Sequence, residues 1–297
     1  MDKPFIFDHP AQAEFMAARR EFLGRFLPQW KRELGLHTVI DVGCGVGYFA
    51  ASLRDMGFEV TAVDAREANI AEARRRHPGI DFHVADVEDR ELASLGCFDV
   101  VLSFGLLYHL ENPFRTMRIL RGLTRKLLLV ESICLPQETP LLLLFDEPDG
   151  EDQSLRAVSC YPSEGALIKM AFRAGFPYVY GFSELPNHDN FQRIIGLDRI
   201  RTIMAAATFQ MDSPLLVPAL EPVLAASDDL WATDPTGVSK LLRKLGRGLR
   251  HRKPALKPQA NPASQASSQS ERPPQTLSGP VASPPEHDTK GSDRGSE

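Results

Sequence analysis

The chain has 297 residues, of which 43% are hydrophobic and 25% charged, an ordinary globular composition with room for one or two domains. Its formal net charge of -5 argues against wholesale nucleic-acid binding, while leaving space for a local basic patch. Its four cysteines, Cys44, Cys97, Cys134 and Cys160, make no CxxC pair, so neither a disulfide framework nor a metal site is expected and the chain reads as reduced and cytoplasmic.

Residues 1–10 mix charges, prolines and aromatics and are not a signal peptide. No apolar run approaches the roughly 20 residues of a membrane span. Residues 11–34 predict a helix or helix pair, with Phe15, Ala18, Phe22 and Phe26 on one face, Arg19, Arg20 and Glu21 elsewhere, and Pro28 as an interruption.

The run from Val39 to Tyr48 organises the rest. A short β-branched strand leads into Asp41, then Gly43, Gly45 and Gly47 stand at alternate positions, with Cys44 inside the turn, and a helical pattern follows. Glycine serves where the backbone turns with positive φ or where a ligand approaches the main chain closely. A dinucleotide site asks for G-x-G-x-x-G, but here its third slot holds Tyr48, which disfavours a nicotinamide-dependent oxidoreductase. A glycine-rich turn with no ligand is the plainer alternative.

A second strand over 59–63 finishes on Asp64, with Ala65 next. An acid about 20 residues past a glycine turn is a ribose-diol acceptor, or else a helix-start acid that serves the following dipole. A third strand over 80–84 ends in Ala85, Asp86 and Val87. The fourth, 98–104, is almost wholly apolar, as in the middle of a parallel sheet, and ends on Phe104. Then come Tyr108 and His109, and Asn112-Pro113 opening a helix. A fifth strand covers 126–131. The alternation predicts an α/β fold with a doubly wound, mostly parallel sheet, whose ligands sit at the carboxyl ends of the strands, where Asp41, Asp64, Asp86 and Phe104 converge.

Residues 133–160 break this rhythm with prolines, leucines and acids, and read as a lid over a substrate pocket. Asp146, Asp152 and Tyr161 are its candidate substrate contacts. A helix to Ala174, a sixth strand over 177–182 and an antiparallel seventh over 200–206 complete a seven-stranded sheet. Residues 215–231 look helical. Lys240 to Lys257 is a basic stretch carrying an amphipathic helix, either a contact for an anionic surface or RNA or simply a solvated terminal helix. From Pro254 the composition is that of a disordered tail.

D-x-G-x-G-x-G at Asp41–Gly47, the strand-tip acids and the segment Gly105 to Pro113 resemble class I S-adenosylmethionine (SAM) dependent methyltransferases of the small-molecule branch, over residues 41–206. Gly105 to Pro113 is also similar to bacterial enzymes that modify the tRNA wobble uridine. The resemblance implies a Rossmann-like seven-stranded fold and SAM as cofactor, held by Asp41, Gly43, Cys44, Gly45, Gly47, Asp64, Ala65, Asp86, Val87 and Phe104. Within it, Asp86 would accept from the adenine amino group and the Val87 amide would reach a ring nitrogen. No Asn-Pro-Pro-aromatic signature follows strand four, which lowers methylation of exocyclic amines. The implied organisation is a helical cap over 1–36, a methyltransferase domain over 37–210 with the 133–160 insertion, basic helices over 211–252 and a disordered tail over 253–297. Methyl transfer to an oxygen or other nucleophile of a small-molecule, sugar or lipid-precursor acceptor is expected, with His109 as general base and Tyr108 as orienting donor. An RNA-modifying transferase and a non-catalytic SAM-binding scaffold remain open.

Overall fold

The computed structural model describes residues 5–146, 154–155, 157–192 and 200–223, apart from the side chains of Ile6, Arg90, Glu91, Ala93 and Phe145. The expected basic stretch from Lys240 to Lys257, the expected tail and Asp152 lie outside the described residues.

Helix α1 spans Pro10–Leu34. The βα alternation then runs β1 (Thr38–Val42), α2 (Tyr48–Asp55), β2 (Glu59–Asp64), α3 (Glu67–Arg76), β3 (Asp81–Val84), β4 (Phe98–Phe104), α4 (Pro113–Leu123) and β5 (Thr124–Cys134). After it come β6 (Leu142–Asp146), β7 (Val158–Pro162), α5 (Glu164–Ala174), β8 (Tyr178–Phe182), β9 (Ile200–Ala207) and β10 (Leu216–Pro218). The main sheet has the order β10-β8-β9-β5-β4-β1-β2-β3. Pairs among β1 to β5 are parallel, while β9 runs antiparallel to both β5 and β8. The doubly wound, mostly parallel architecture is therefore as expected.

Alternation along the strands splits the core into two layers. Val39, Val100, Leu102, Leu127 and Leu129 face α1 and α2. Ile40, Val42, Val101, Leu128 and Val130 face α4 and α5. Burying each such side chain contributes about 1.5–3 kcal/mol, so both faces of the central strands have to be covered.

Three expectations change. The main sheet has eight strands rather than seven, because Leu216–Pro218 pairs antiparallel with Phe182–Tyr180 where a helix was expected; the open edge of β8 supplies the partner. Pro28 does not interrupt α1, since the buried Phe22, Leu23, Phe26, Leu27 and Trp30 pack both sides of it onto the core and outweigh the lost amide bond. The fifth strand runs past its expected end at 131 to Cys134, and in the described part of the 133–160 insertion β6 and β7 form a two-stranded antiparallel ribbon. Ser163 fastens the base of that ribbon. Its Oγ caps α5 by accepting from the Ala166 amide, accepts from the Leu141 amide, and donates to the Thr139 carbonyl.

Candidate functional site

A cavity of about 1280 Å³ opens at the carboxyl ends of β1, β2 and β4. Single small ligands fill roughly 300–1,000 Å³, so there is room for two molecules side by side. Gly43, Cys44, Asp64, Ala65, Asp86, Val87, Phe104, Tyr108 and His109 all line it. Strand order explains the convergence: β3, β2, β1 and β4 are neighbours, so residues far apart in sequence end on one rim.

Asp64 is the organiser of that rim. Its Oδ2 accepts from the Gly45 amide at 2.9 Å, and its Oδ1 accepts from the Arg66 amide at 2.9 Å and from Asn69 Nδ2 at 3.0 Å. One carboxylate thus ties the tip of β2 to the glycine turn and to the start of α3. Asp86 turns its Oδ1 to the Glu88 amide at 2.9 Å.

Asp41, Gly45 and Gly47 do not line the cavity. Gly45 has φ +54, and a Cβ on it would stand 2.5 Å from Phe7 Cζ; the close approach expected there is made by the protein's own ring. Gly47 caps α2 with φ +85, and a Cβ would stand 2.9 Å from Phe82 Cζ. Both glycines are required, for the turn and for packing beneath it. Phe7 belongs to a short turn, Ile6–Asp8, that Asp8 secures by accepting from Arg76 Nη1 and Nη2 at 2.7 Å each.

Asp41 lies under the turn, 1% exposed, with Oδ2 lacking any hydrogen-bond partner. Burial raises its carboxyl from the ordinary 3.8 to about 7, the Ala50 amide opposing and the Asp64 charge adding. A carboxyl raised in the folded state contributes stability that is fully present below 3.8 and is lost as pH rises through about 7. Asp41→Asn, which cannot ionise, is therefore expected to abolish the decline between those values and to be more stable than the wild type at pH 8 by up to roughly 4 kcal/mol. Urea unfolding of both proteins at pH 5 and pH 8 measures it; a pH-independent difference would count against this reading. The Cys44 thiol is also pushed well up, by burial and by Asp41 and Asp64, so it offers no thiolate nucleophile.

His109 and Tyr108 sit on a short turn, Leu107–His109, just beyond β4. Their rings lie 4.1 Å apart, centroid to centroid. Tyr161 packs edge-on against Tyr108 without lining the cavity, and Asp146, exposed on the ribbon, does not line it either. The insertion does reach the opening through Leu155, held by Arg66 Nη2 donating to the Ser154 carbonyl at 3.1 Å.

Two site residues escaped the sequence reading. Arg19, assigned to the polar side of α1, is 5% exposed and lines the cavity, as does Arg201 at the start of β9. Glu131, wholly buried on β5, accepts from Arg201 Nη1 at 2.7 Å and from Arg19 Nη1 at 3.1 Å. Arg201 Nη2 donates to the Tyr108 hydroxyl at 3.1 Å. Burial works against both charges, but the shorter contact to Glu131 and the Tyr108 bond hold the Arg201 pKa up, whereas burial prevails at Arg19 and lowers it. Arg19 also lies over the Phe15 ring at 3.8 Å, and Arg201 over the Tyr108 ring at 5.1 Å. The only local signal was an arginine one turn from Phe15 and Phe22.

Residues 40–127 match the family described as "Methyltransferase domain". A tRNA U34 carboxymethyltransferase of Methylococcus capsulatus is 31% identical over 189 residues, covering 59% of this chain and 57% of that protein. A ubiquinone biosynthesis O-methyltransferase of Caulobacter vibrioides is 35% identical over 85 residues, covering 27% of this chain and 34% of that protein. The chain spans about half the length, or less, of these curated relatives. Among solved structures, the N-terminal domain of EvdMO1 with SAH (S-adenosylhomocysteine) bound aligns with a TM-score of 0.52 at 20% identity, covering 66% of this chain and 81% of that one, which shows a shared fold.

Proposed function

We propose a reaction for this chain, which belongs to the class I S-adenosylmethionine-dependent methyltransferase superfamily: methyl transfer from SAM to an oxygen of a small-molecule acceptor, a sugar or lipid precursor included. One observation carries it. The residues the motif places at three strand tips, Gly43, Asp64 and Asp86, meet on one cavity rim with His109 and Tyr108. SAM carries no phosphate but an ammonium and a sulfonium, and a rim set with carboxylates and with few cations at the glycine turn suits such a ligand. Asp64, Ala65, Asp86, Val87, Gly43, Cys44 and Phe104 would hold it, with Asp41, Gly45 and Gly47 shaping the turn from below.

When bound, SAM supplies a methyl carbon already activated toward in-line displacement by its sulfonium. The chain's task is then alignment, worth about 7–11 kcal/mol of barrier. His109 takes the proton of a hydroxyl acceptor at its imidazole, and Tyr108, fixed by Arg201, orients that acceptor. Leu155 and Arg66 line the opening, with Arg66 Nη2 tying the insertion to it through the Ser154 carbonyl.

A second reading has support in the longer match to the tRNA-modifying relative, 189 residues against 85; its acceptor would be tRNA, met through Lys240 to Lys257. Calorimetry with SAM, SAH and NAD tests the shared part: micromolar binding of the first two and none of the third is expected, and the reverse would overturn it. Labelled methyl transfer into a cell extract, split into RNA, protein, lipid and small-molecule fractions, decides between acceptors. Label in the RNA fraction would replace the first reading with the second.

A further inference from the structure

The rim changes sign along its length. Asp86 and Asp64 stand at the tips of β3 and β2, whereas Arg19 and Arg201 flank Glu131 on β5, the next strand beyond β4. From β2 to β9 is four strand spacings, about 19 Å at the usual interval. The two ends of the cavity therefore face different chemistry.

The basic end is charged beyond its own needs. Two guanidinium groups share one carboxylate, so a net positive charge stays in a mostly buried place: the side chains of Arg19, Arg201 and Glu131 are 6%, 16% and 0% exposed. Donors exceed acceptors as well. A guanidinium offers five N–H groups, yet Arg19 gives one nitrogen to Glu131 and another to the Met16 thioether, and its Nε is buried with no partner. Arg201 spends its bonds on Glu131 and on the Tyr108 hydroxyl. Aromatic faces surround the cluster: Phe15 lies under both guanidiniums and Tyr108 under Arg201. A planar anion beside two forked cations is the arrangement that bidentate recognition uses.

We propose that Arg19, Arg201 and Tyr108 form the anion end of the acceptor subsite, so that the molecule methylated here carries a carboxylate. This rests on the methyltransferase reading above, and it names the substrate class of that same site. The other source of a carboxylate is the amino-acid part of the donor. The position of Arg201 on β9, beyond β5 and four strands along the sheet from Asp64, favours the acceptor.

The test titrates the full chain, saturated with SAH, with 3-phenylpropionate and hexanoate, and with their methyl esters. Both acids are expected to bind about tenfold tighter than their esters, the worth of one charge-assisted hydrogen bond. Arg201→Lys keeps the charge but loses the fork, and is expected to remove that preference with SAH affinity unchanged. Tyr108→Phe, which deletes only a hydroxyl, should weaken the acids more than the esters. Esters that bind as well as acids, acids that do not bind at all, or acid affinity untouched by Arg201→Lys would overturn the proposal. A parallel loss of SAH affinity in Arg201→Lys would overturn it in favour of the donor's own carboxylate. If SAH fails to bind the wild type, the methyltransferase reading itself has failed, and that outcome is read before any acid is added.

Discussion

Asp64→Ala is expected to weaken SAM and SAH binding by about a hundredfold, measured by calorimetry against the wild type. The magnitude follows from what the carboxylate does without any ligand. It accepts from the Gly45 amide, the Arg66 amide and Asn69 Nδ2, so its removal strands two backbone donors and an amide side chain at a partly buried corner. Hydrogen bonds to a charged group contribute roughly 1.5–3 kcal/mol each, and a hundredfold loss is about 2.7 kcal/mol. Part of the damage therefore falls on the fold, and chemical denaturation run beside the calorimetry separates the two. Asp64→Asn keeps one acceptor oxygen and should fall between. An alanine variant that is destabilised yet binds SAH as the wild type does would reduce Asp64 to a turn-fastening residue, the helix-start role its position also allows.

Asp64 was legible in the sequence because it is set by local rules: a strand of known period, a glycine turn before it and a fixed distance between them. The same holds for Gly43, Asp86 and the apolar β4, all read from patterns shorter than one βα unit. What escaped was decided between elements. Arg19 looks like a solvated helix position until Glu131, 112 residues away, is placed beneath it. Arg201 enters the site because β9 pairs antiparallel with β5, opposite Ile133, a register that no window of sequence contains. Leu216–Pro218 passes for a helix start on its apolar content, and becomes a strand only because β8 leaves an edge open. Gly45 is expected to let a ligand close to the main chain, but the group standing there is Phe7, whose position depends on Asp8 meeting Arg76 across the turn.

Glu131→Ala is expected to be among the most damaging single substitutions on this side of the sheet. The wild-type carboxylate is fully buried between Arg201 at 2.7 Å and Arg19 at 3.1 Å. Removing it leaves two cations facing each other with no counter-charge. Breaking a buried ion pair on one side costs about 3–5 kcal/mol, which for a domain of this size lowers the thermal midpoint by roughly 10 °C. Scanning calorimetry gives the shift directly. The informative comparison is with the triple variant Arg19→Met, Glu131→Met, Arg201→Met. A buried charged triad exchanged whole for apolar side chains is often neutral or stabilising, so the triple should recover most of the stability that the single loses. If it does, the triad is not retained for folding, and the same protein should have lost its preference for acids over esters. If the triple is as unstable as the single, the cluster is part of the scaffold that holds α1 against β5 and β9, and its surplus positive charge would need an explanation other than a ligand.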